Sequence, residues 1–325
     1  MLSLPTFTDA EILAARPARN PVDPSRPYGA ILEPERARSG DVENVATLLL
    51  TNRECSFRCL MCDLWKNTSE EPVPAGVVAG QVRDGLAELG VDSRDPVASG
   101  VPHLKLYNSG NFFDRKAISL DDREQIAAQV RRFQTVIVEN HPRLCDSHVI
   151  EFHKQLDYPL EVAMGLETAH PEVLAGLNKQ MTLDDFRRAG QFLRENDIHV
   201  RSFVLLKPPT LNEQEAVYWA VKSVEFSFDA GADCCALIPL REGNGMIEKL
   251  IRQGLHQPPT LASLEMALDQ CLALDRGRVW VDLWDLERLL LCPACSPARL
   301  ERLGQMNLQQ QVLPAIECPL DCTRD

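Results

Sequence analysis

Three cysteines, Cys55, Cys59 and Cys62, follow one another in the spacing C-x3-C-x2-C. Iron–sulfur clusters are held by cysteine thiolates, and close spacing in one loop lets a single segment wrap a cubane. Three thiolates against the four irons of a [4Fe-4S] cluster leave one iron open to a ligand that is not protein. A zinc site wants four ligands, often as two pairs, and the triplet has no fourth thiolate nearby. Zinc completed from elsewhere in the chain, or buried inert thiols, are the alternatives. A second group has a different pattern: Cys292-x2-Cys295, then Cys318-x3-Cys322. Two short-spaced pairs could close either a zinc ion or an auxiliary [4Fe-4S] cluster, and such ligation would fasten the tail to the rest of the chain. Cys145, Cys234, Cys235 and Cys271 read as core residues, because free cysteine behaves as a small hydrophobe.

The elements that must position these residues alternate in type. Val45–Leu50 reads as a buried strand just before the triplet, and residues 75–89 as a helix ended by Gly90. Leu104–Tyr107 is a second strand, stopped by Asn108-Ser109-Gly110. Ser119-Leu120-Asp121-Asp122 and Thr182-Leu183-Asp184-Asp185 have capping-box spacing and open helices. Thr135–Glu139, Leu160–Gly165, Val200–Leu206 and Cys234–Pro239 complete six strands. Strands separated by helices pair in parallel, and strands this apolar are covered on both faces. Polar residues collect after the strands: Cys55, Asn108 to Asn111, Glu139, Glu167 and Arg241 to Asn244. Barrels gather their sites at the C-terminal strand ends. The expected fold class is therefore α/β, a partial (β/α)6 TIM-type barrel with a small cysteine-rich C-terminal extension. Its expected divisions are an extended arm over residues 1–44, the barrel over 45–243 and the extension over 244–325.

The chain has 325 residues, 45% of them apolar, enough for a sizeable core. A formal charge of −13 without a lysine or arginine block argues against binding nucleic acid unaided. It leaves room for a nucleic-acid substrate presented by a partner subunit. Eleven cysteines with no export signal in Met1–Pro5 point to a reducing, cytoplasmic setting, and no apolar run is long enough for a membrane span.

The cysteine triplet after a first strand, joined by Asn108-Ser109-Gly110-Asn111 after the second, resembles the radical S-adenosylmethionine (SAM) superfamily. The closer likeness, over residues 45–260, is to the branch of the archaeosine synthase radical SAM subunit; the Elongator catalytic subunit and the methylthiotransferases are more distant. It rests on Lys105–Asp114, Val138–Pro142, Gly165–Thr168 with Leu177–Lys179, and Leu206–Pro209. The resemblance implies SAM on the open iron of a [4Fe-4S] cluster held by Cys55, Cys59 and Cys62. It places Met61 against the adenine and Asn108, Ser109, Gly110 and Asn111 at the methionine amino group. Glu139 and Glu167 fall where the family contacts SAM ribose or substrate. The family usually has an aromatic residue where Met61 stands and an acid in the Gly-Gly-Glu-like segment that this chain lacks. The resemblance also implies an electron donor such as flavodoxin or ferredoxin. The implied substrate is a modified tRNA base or a small biosynthetic intermediate; a non-catalytic zinc-stabilised scaffold is the reading from another class. Tyr107, Phe112, Phe113, His141 and Trp284 form a candidate substrate mouth that suits a flat ring or an apolar metabolite equally, with His141 read either as a proton donor or as a surface loop residue.

Overall fold

Residues 4–320 are described by the computed structural model. Helix α1 (Asp9–Ala15) opens on a capping box between Thr8 and Glu11. Strands β1 (Gly29–Arg36) and β2 (Val42–Leu49) form an antiparallel hairpin. Beyond it the chain alternates: α2 (Val77–Glu88), β3 (His103–Tyr107), α3 (Leu120–Val130), β4 (Thr135–Glu139), α4 (Ser147–His153) and β5 (Leu160–Glu167). Helices α5 (Pro171–Gly176) and α6 (Leu183–Arg194) lead to β6 (His199–Leu206), and α7 (Glu213–Asp229) to β7 (Cys234–Pro239). Helices α8 (Met246–Arg252) and α9 (Leu261–Leu272), strand β8 (Arg278–Val281) and helix α10 (Ser296–Gln309) complete the order. The caps explain the helix starts: the side chains of Ser119, Thr182, Asn212 and Thr260 each accept a backbone N–H of the first turn.

The eight strands lie in one sheet in chain order, parallel from β2 to β8. The six strands read from the sequence are β2 to β7, and the fold is a partial barrel of the (β/α) kind. Two strands are additional. Residues 1–44, read as an extended arm, contain α1 and the edge strand β1, and the segment after residue 244 supplies β8 to the same sheet. Both were hidden for physical reasons. β1 carries Glu33, Pro34, Glu35 and Arg36, and β8 has only four residues, so each shows an apolar run of only three.

The sheet curls until its ends approach. Arg201 on β6 donates to Glu35 on β1 at 2.7 Å, and Arg278 on β8 donates to the carbonyl of Arg36 at 3.0 Å. Helix α10 packs on both β1 and β8 across the gap. Outside the sheet the helices cover an apolar core that includes Leu48, Leu104, Leu106, Val138 and Val162. The inner face is different. Lys105 meets Glu33 at 2.9 Å and Glu35 at 2.6 Å, while Arg201 meets Glu161 at 2.6 Å. These buried charges form a floor. Above it, strand alternation places the small Ala163, Gly165 and Ala236 inward, and Tyr107 meets Phe203 edge to face at 6.1 Å. The inner face was expected to be apolar; it is polar at its base and lined by small residues higher up. Among the described residues, no helix is long and apolar enough to cross a membrane.

Candidate functional site

The cysteine triplet occupies the loop leaving β2, at the C-terminal end of the parallel strands. Long-range contacts fix its path. Leu60 N–H donates to the carbonyl of Leu177 at 2.9 Å, and Asn244 Nδ2 donates to the carbonyl of Leu60 at 2.8 Å. Glu54 anchors the loop's start to Arg16 at 2.7 Å and Arg58 at 3.1 Å, and also pairs with Arg19. The arm therefore straps the loop. At Gly245, φ is +87° and an added Cβ would strike the carbonyl of Ala15, so only glycine lets α1 approach α8 here. Met61 packs beside the small apolar cluster that α1 and α8 build around Leu60.

Asn111 Nδ2 lies 3.1 Å from Cys55 Sγ, the geometry of an amide donating to sulfur. Burial pushes all three thiols up: Cys55 modestly, Cys59 to about 12 and Cys62 well above its usual value. The Lys179 ammonium pulls the other way at Cys55 and Cys59. Thiols so placed ionise only beside strong positive charge, as a bound metal centre supplies. Among the described residues, the triplet belongs to no group of Cys, His, Asp or Glu whose ligand atoms all lie within 4.8 Å of one another. Sulfurs serving separate irons need no such closeness.

The Asn108–Asn111 segment sits beside this loop; an added Cβ at Gly110 would come 3.5 Å from Cys55 Cβ. The side chain of Asn108 is fully buried, yet neither its Oδ1 nor its Nδ2 has a partner. A buried amide with both ends open costs free energy unless something fills the space before it. Ser109 holds φ at +53° and its hydroxyl pairs with Tyr28 at 2.8 Å. Glu139 lies beneath this turn: its Oε2 accepts the Asn108 N–H at 2.9 Å, with the Ser109 and Gly110 N–H groups also directed at the carboxylate. Its carboxylate is committed to shaping the turn.

Burial raises Glu139 to about 7 from an ordinary 4.5, against the opposing pull of those N–H groups. The folded carboxyl keeps its proton to about pH 7, whereas the unfolded chain releases it near 4.5. The native state thus binds more protons between those values, and this group's contribution to stability falls as pH rises through them, by at most about 3 kcal/mol. Glu139→Gln cannot ionise. Denaturant unfolding at pH 5 and pH 8 is expected to show the variant gaining on the wild type at the higher pH; a constant difference would contradict the assignment.

Glu167 ends β5 at a register shift, with φ at +68°, and its Oε1 meets Lys179 Nζ at 2.5 Å. An added Cβ at Gly165 would collide with that carboxylate, so glycine makes room for the pair. Lys179 was not singled out from the sequence, although it lies in a segment that carried the resemblance. Its carbonyl accepts from His141 Nε2 at 3.0 Å, and His141 Nδ1 accepts the Arg143 N–H at 3.2 Å. Both ring nitrogens are thereby satisfied in the neutral tautomer, and burial lowers His141 to about 3. His141 is buried and stacks on Phe57 at 3.8 Å. It is neither a surface residue nor a mouth residue, and it packs the cysteine loop. Phe112 and Phe113 also leave the expected mouth, since they pack edge to face with Phe152 in the core. Tyr107 does face inward.

Cys292, Cys295 and Cys318 come together elsewhere, at the start of α10; Cys322 lies outside the described residues.

No family model matches the chain. In sequence it is similar to archaeosine synthase subunit beta from Methanosarcina acetivorans, 26% identical over 66% of this chain and 62% of that protein. The subunit beta from Thermococcus kodakarensis is 28% identical over 51% of each. An uncharacterised protein of Methanocaldococcus jannaschii is 23% identical over 74% of this chain and 68% of that one. The two beta subunits agree with the family resemblance read from the sequence, and the chain spans about half to two thirds of the relatives' lengths. Among solved structures, Methanocaldococcus infernus Elp3 aligns over 70% of this chain and 59% of that one, with TM-score 0.49 and 12% identity. Coproporphyrinogen III oxidase (HemN) from Escherichia coli, described as a radical SAM enzyme, covers 84% and 56% with TM-score 0.43 and 13% identity.

Proposed function

We propose that this chain is a radical SAM enzyme whose Cys55, Cys59 and Cys62 hold a [4Fe-4S] cluster, with SAM on the remaining iron. The observation that carries this reading is the pairing of three half-buried thiols in one strand-end loop with the buried, unpartnered Asn108 amide beside them. Held by these three cysteines, the cluster would supply the electron for reductive cleavage of SAM, the chemistry that activates substrate.

The chain's own residues prepare the site. The Asn111 amide orients and tunes the Cys55 sulfur. Glu139 gathers the N–H groups of the Asn108–Gly110 turn inward, which frees the turn's carbonyls and the Asn108 side chain for the methionine end of SAM. Met61 meets the adenine from the apolar cluster it joins. The Glu167–Lys179 pair places a fixed cation between the thiolates and the inner face. On this reading residues 45–243 are the catalytic barrel, strapped by residues 1–44 and extended by 244–325.

The substrate that the relatives' names favour is a modified tRNA base, presented by a partner subunit because a chain of charge −13 offers RNA little attraction. The same charge favours, as the second reading, a small biosynthetic intermediate. The reductant is an electron donor such as flavodoxin or ferredoxin, and the setting is cytoplasmic. Anaerobic reconstitution with iron and sulfide is expected to give brown protein that releases 5′-deoxyadenosine when dithionite and SAM are added. Colourless protein holding zinc in both cysteine groups would instead establish the scaffold reading. Mass spectrometry of co-purified RNA or metabolites separates the two substrates.

A further inference from the structure

The second cysteine group is built by a reversal of the chain. Cys292 and Cys295 lead into α10, and Cys295 is its N-terminal cap residue. Past the helix the tail doubles back, held where Arg302 donates to the carbonyls of Leu313 at 2.8 Å and Pro314 at 3.0 Å. That return brings Cys318 Sγ to 3.7 Å from Cys292 Sγ. The sulfurs of Cys292, Cys295 and Cys318 all lie within 4.8 Å of one another. The separation is too long for a disulfide, whose sulfurs are about 2.05 Å apart. A tetrahedral ion with metal–sulfur bonds of about 2.3 Å sets its ligand sulfurs about 3.8 Å apart. Thiolates on a cubane bind different irons and stand wider, and the Cys55, Cys59 and Cys62 sulfurs are not drawn within the same limit. The two cysteine groups of this chain thus have two different geometries.

We propose that Cys292, Cys295 and Cys318 hold a single tetrahedral zinc ion, and not an auxiliary iron–sulfur cluster. Cysteine-rich zinc sites of this ligand type fasten chain segments together, since such ligation couples directly to folding. The ion's task here follows from what α10 does. Asn307 accepts from Val281 N and donates to Val281 O, both at 2.9 Å; Gln310 treats Val279 the same way at 2.7 and 2.8 Å. Helix α10 therefore satisfies the open edge of β8, an edge that would otherwise offer its backbone to other chains. Zinc ties the start of that helix to the tail lying along it.

The test uses the full chain with Cys55, Cys59 and Cys62 all replaced by alanine, and metal analysis of the purified protein. About one zinc per chain, little iron, and cobalt exchange giving the absorption of cobalt–thiolate bonds are expected. Adding Cys292→Ser and Cys318→Ser should abolish the zinc and lower the melting temperature. Should the triple variant not fold, X-ray absorption at the zinc edge of the native chain is expected to show a first shell dominated by sulfur at about 2.3 Å. Iron with sulfide in the triple variant, a lone iron, or no metal at all would overturn the proposal. None of these readouts depends on SAM cleavage, so failure here is distinguishable from failure of the radical SAM reading.

Discussion

Cys59→Ala is expected to lose 5′-deoxyadenosine release by at least about 1,000-fold, some 4 kcal/mol on the barrier. It should lose the iron of the first cysteine group in the same preparation. The substitution removes one sulfur and leaves the backbone contacts of the loop, among them the turn from Cys62 N–H to the Cys59 carbonyl at 3.2 Å. Loop position is set elsewhere, by Glu54, Leu60 and Asn244, so the fold should survive and circular dichroism should be unchanged. With two thiolates left, no arrangement holds a cubane and still reserves one iron for SAM. Cys145→Ala is the matched control. Its sulfur contacts Met164 Sδ at 3.6 Å and faces the core, so iron and cleavage should both remain. Cleavage unchanged in Cys59→Ala would refute the assignment of the site. Loss of cleavage with iron fully retained would contradict the ligand role while leaving the loop's importance intact.

Much of this arrangement was legible because it obeys local rules. The triplet and the Asn108–Asn111 segment are contiguous, and each follows an apolar run that ends at a turn. Glu139 and Glu167 could be placed at strand ends for the same reason. What could not be read is what closes in space. Lys179 reaches the cysteines only because β5 shifts register before Glu167 and the chain returns past α5. Asn244 binds the Leu60 carbonyl across 184 positions of sequence. His141 looked exposed because histidine followed by proline marks a loop, yet the ring is buried beneath Phe57. The strand pattern misled in a further way. Lys105, Glu161 and Arg201 stand within strands whose other face is largely apolar, and the sequence offers no sign that such charges turn inward and meet. Only the curl of the sheet, which brings β1 to β6, pairs them.

Methionine in place of Arg201 should therefore be among the most destabilising single changes in the chain. Arg201 is 3% exposed and its guanidinium bridges Glu161 and Glu35 while lying 4.7 Å from the Trp280 ring centroid. Burial on its own would raise Glu35, but the Arg201 and Lys105 cations beside it overrule burial and hold it well below the usual carboxylate range. Glu161 is likewise lowered, against burial, by Arg201 and Arg278. Removing Arg201 leaves Glu35 with Lys105 and Glu161 with the more distant Arg278, 3.7 Å away, so two buried carboxylates each lose a partner, and breaking a buried pair of this kind costs about 3–5 kcal/mol. The loss should be greatest above the ordinary carboxyl value of 4.5, where the unfolded chain is ionised, and should shrink as acid protonates both glutamates. Urea unfolding of Arg201→Met against wild type at pH 7 and pH 4 measures both effects. Adding Glu161→Gln should recover part of the stability at pH 7, because Glu161 is left with no cation closer than Arg278 at 3.7 Å, whereas Glu35 still has Lys105 at 2.6 Å. A cost below about 1 kcal/mol, or no recovery, would mean that water reaches the floor. The barrel would then be open at both ends, and the dry, one-sided space in which a radical could be kept from solvent would not exist.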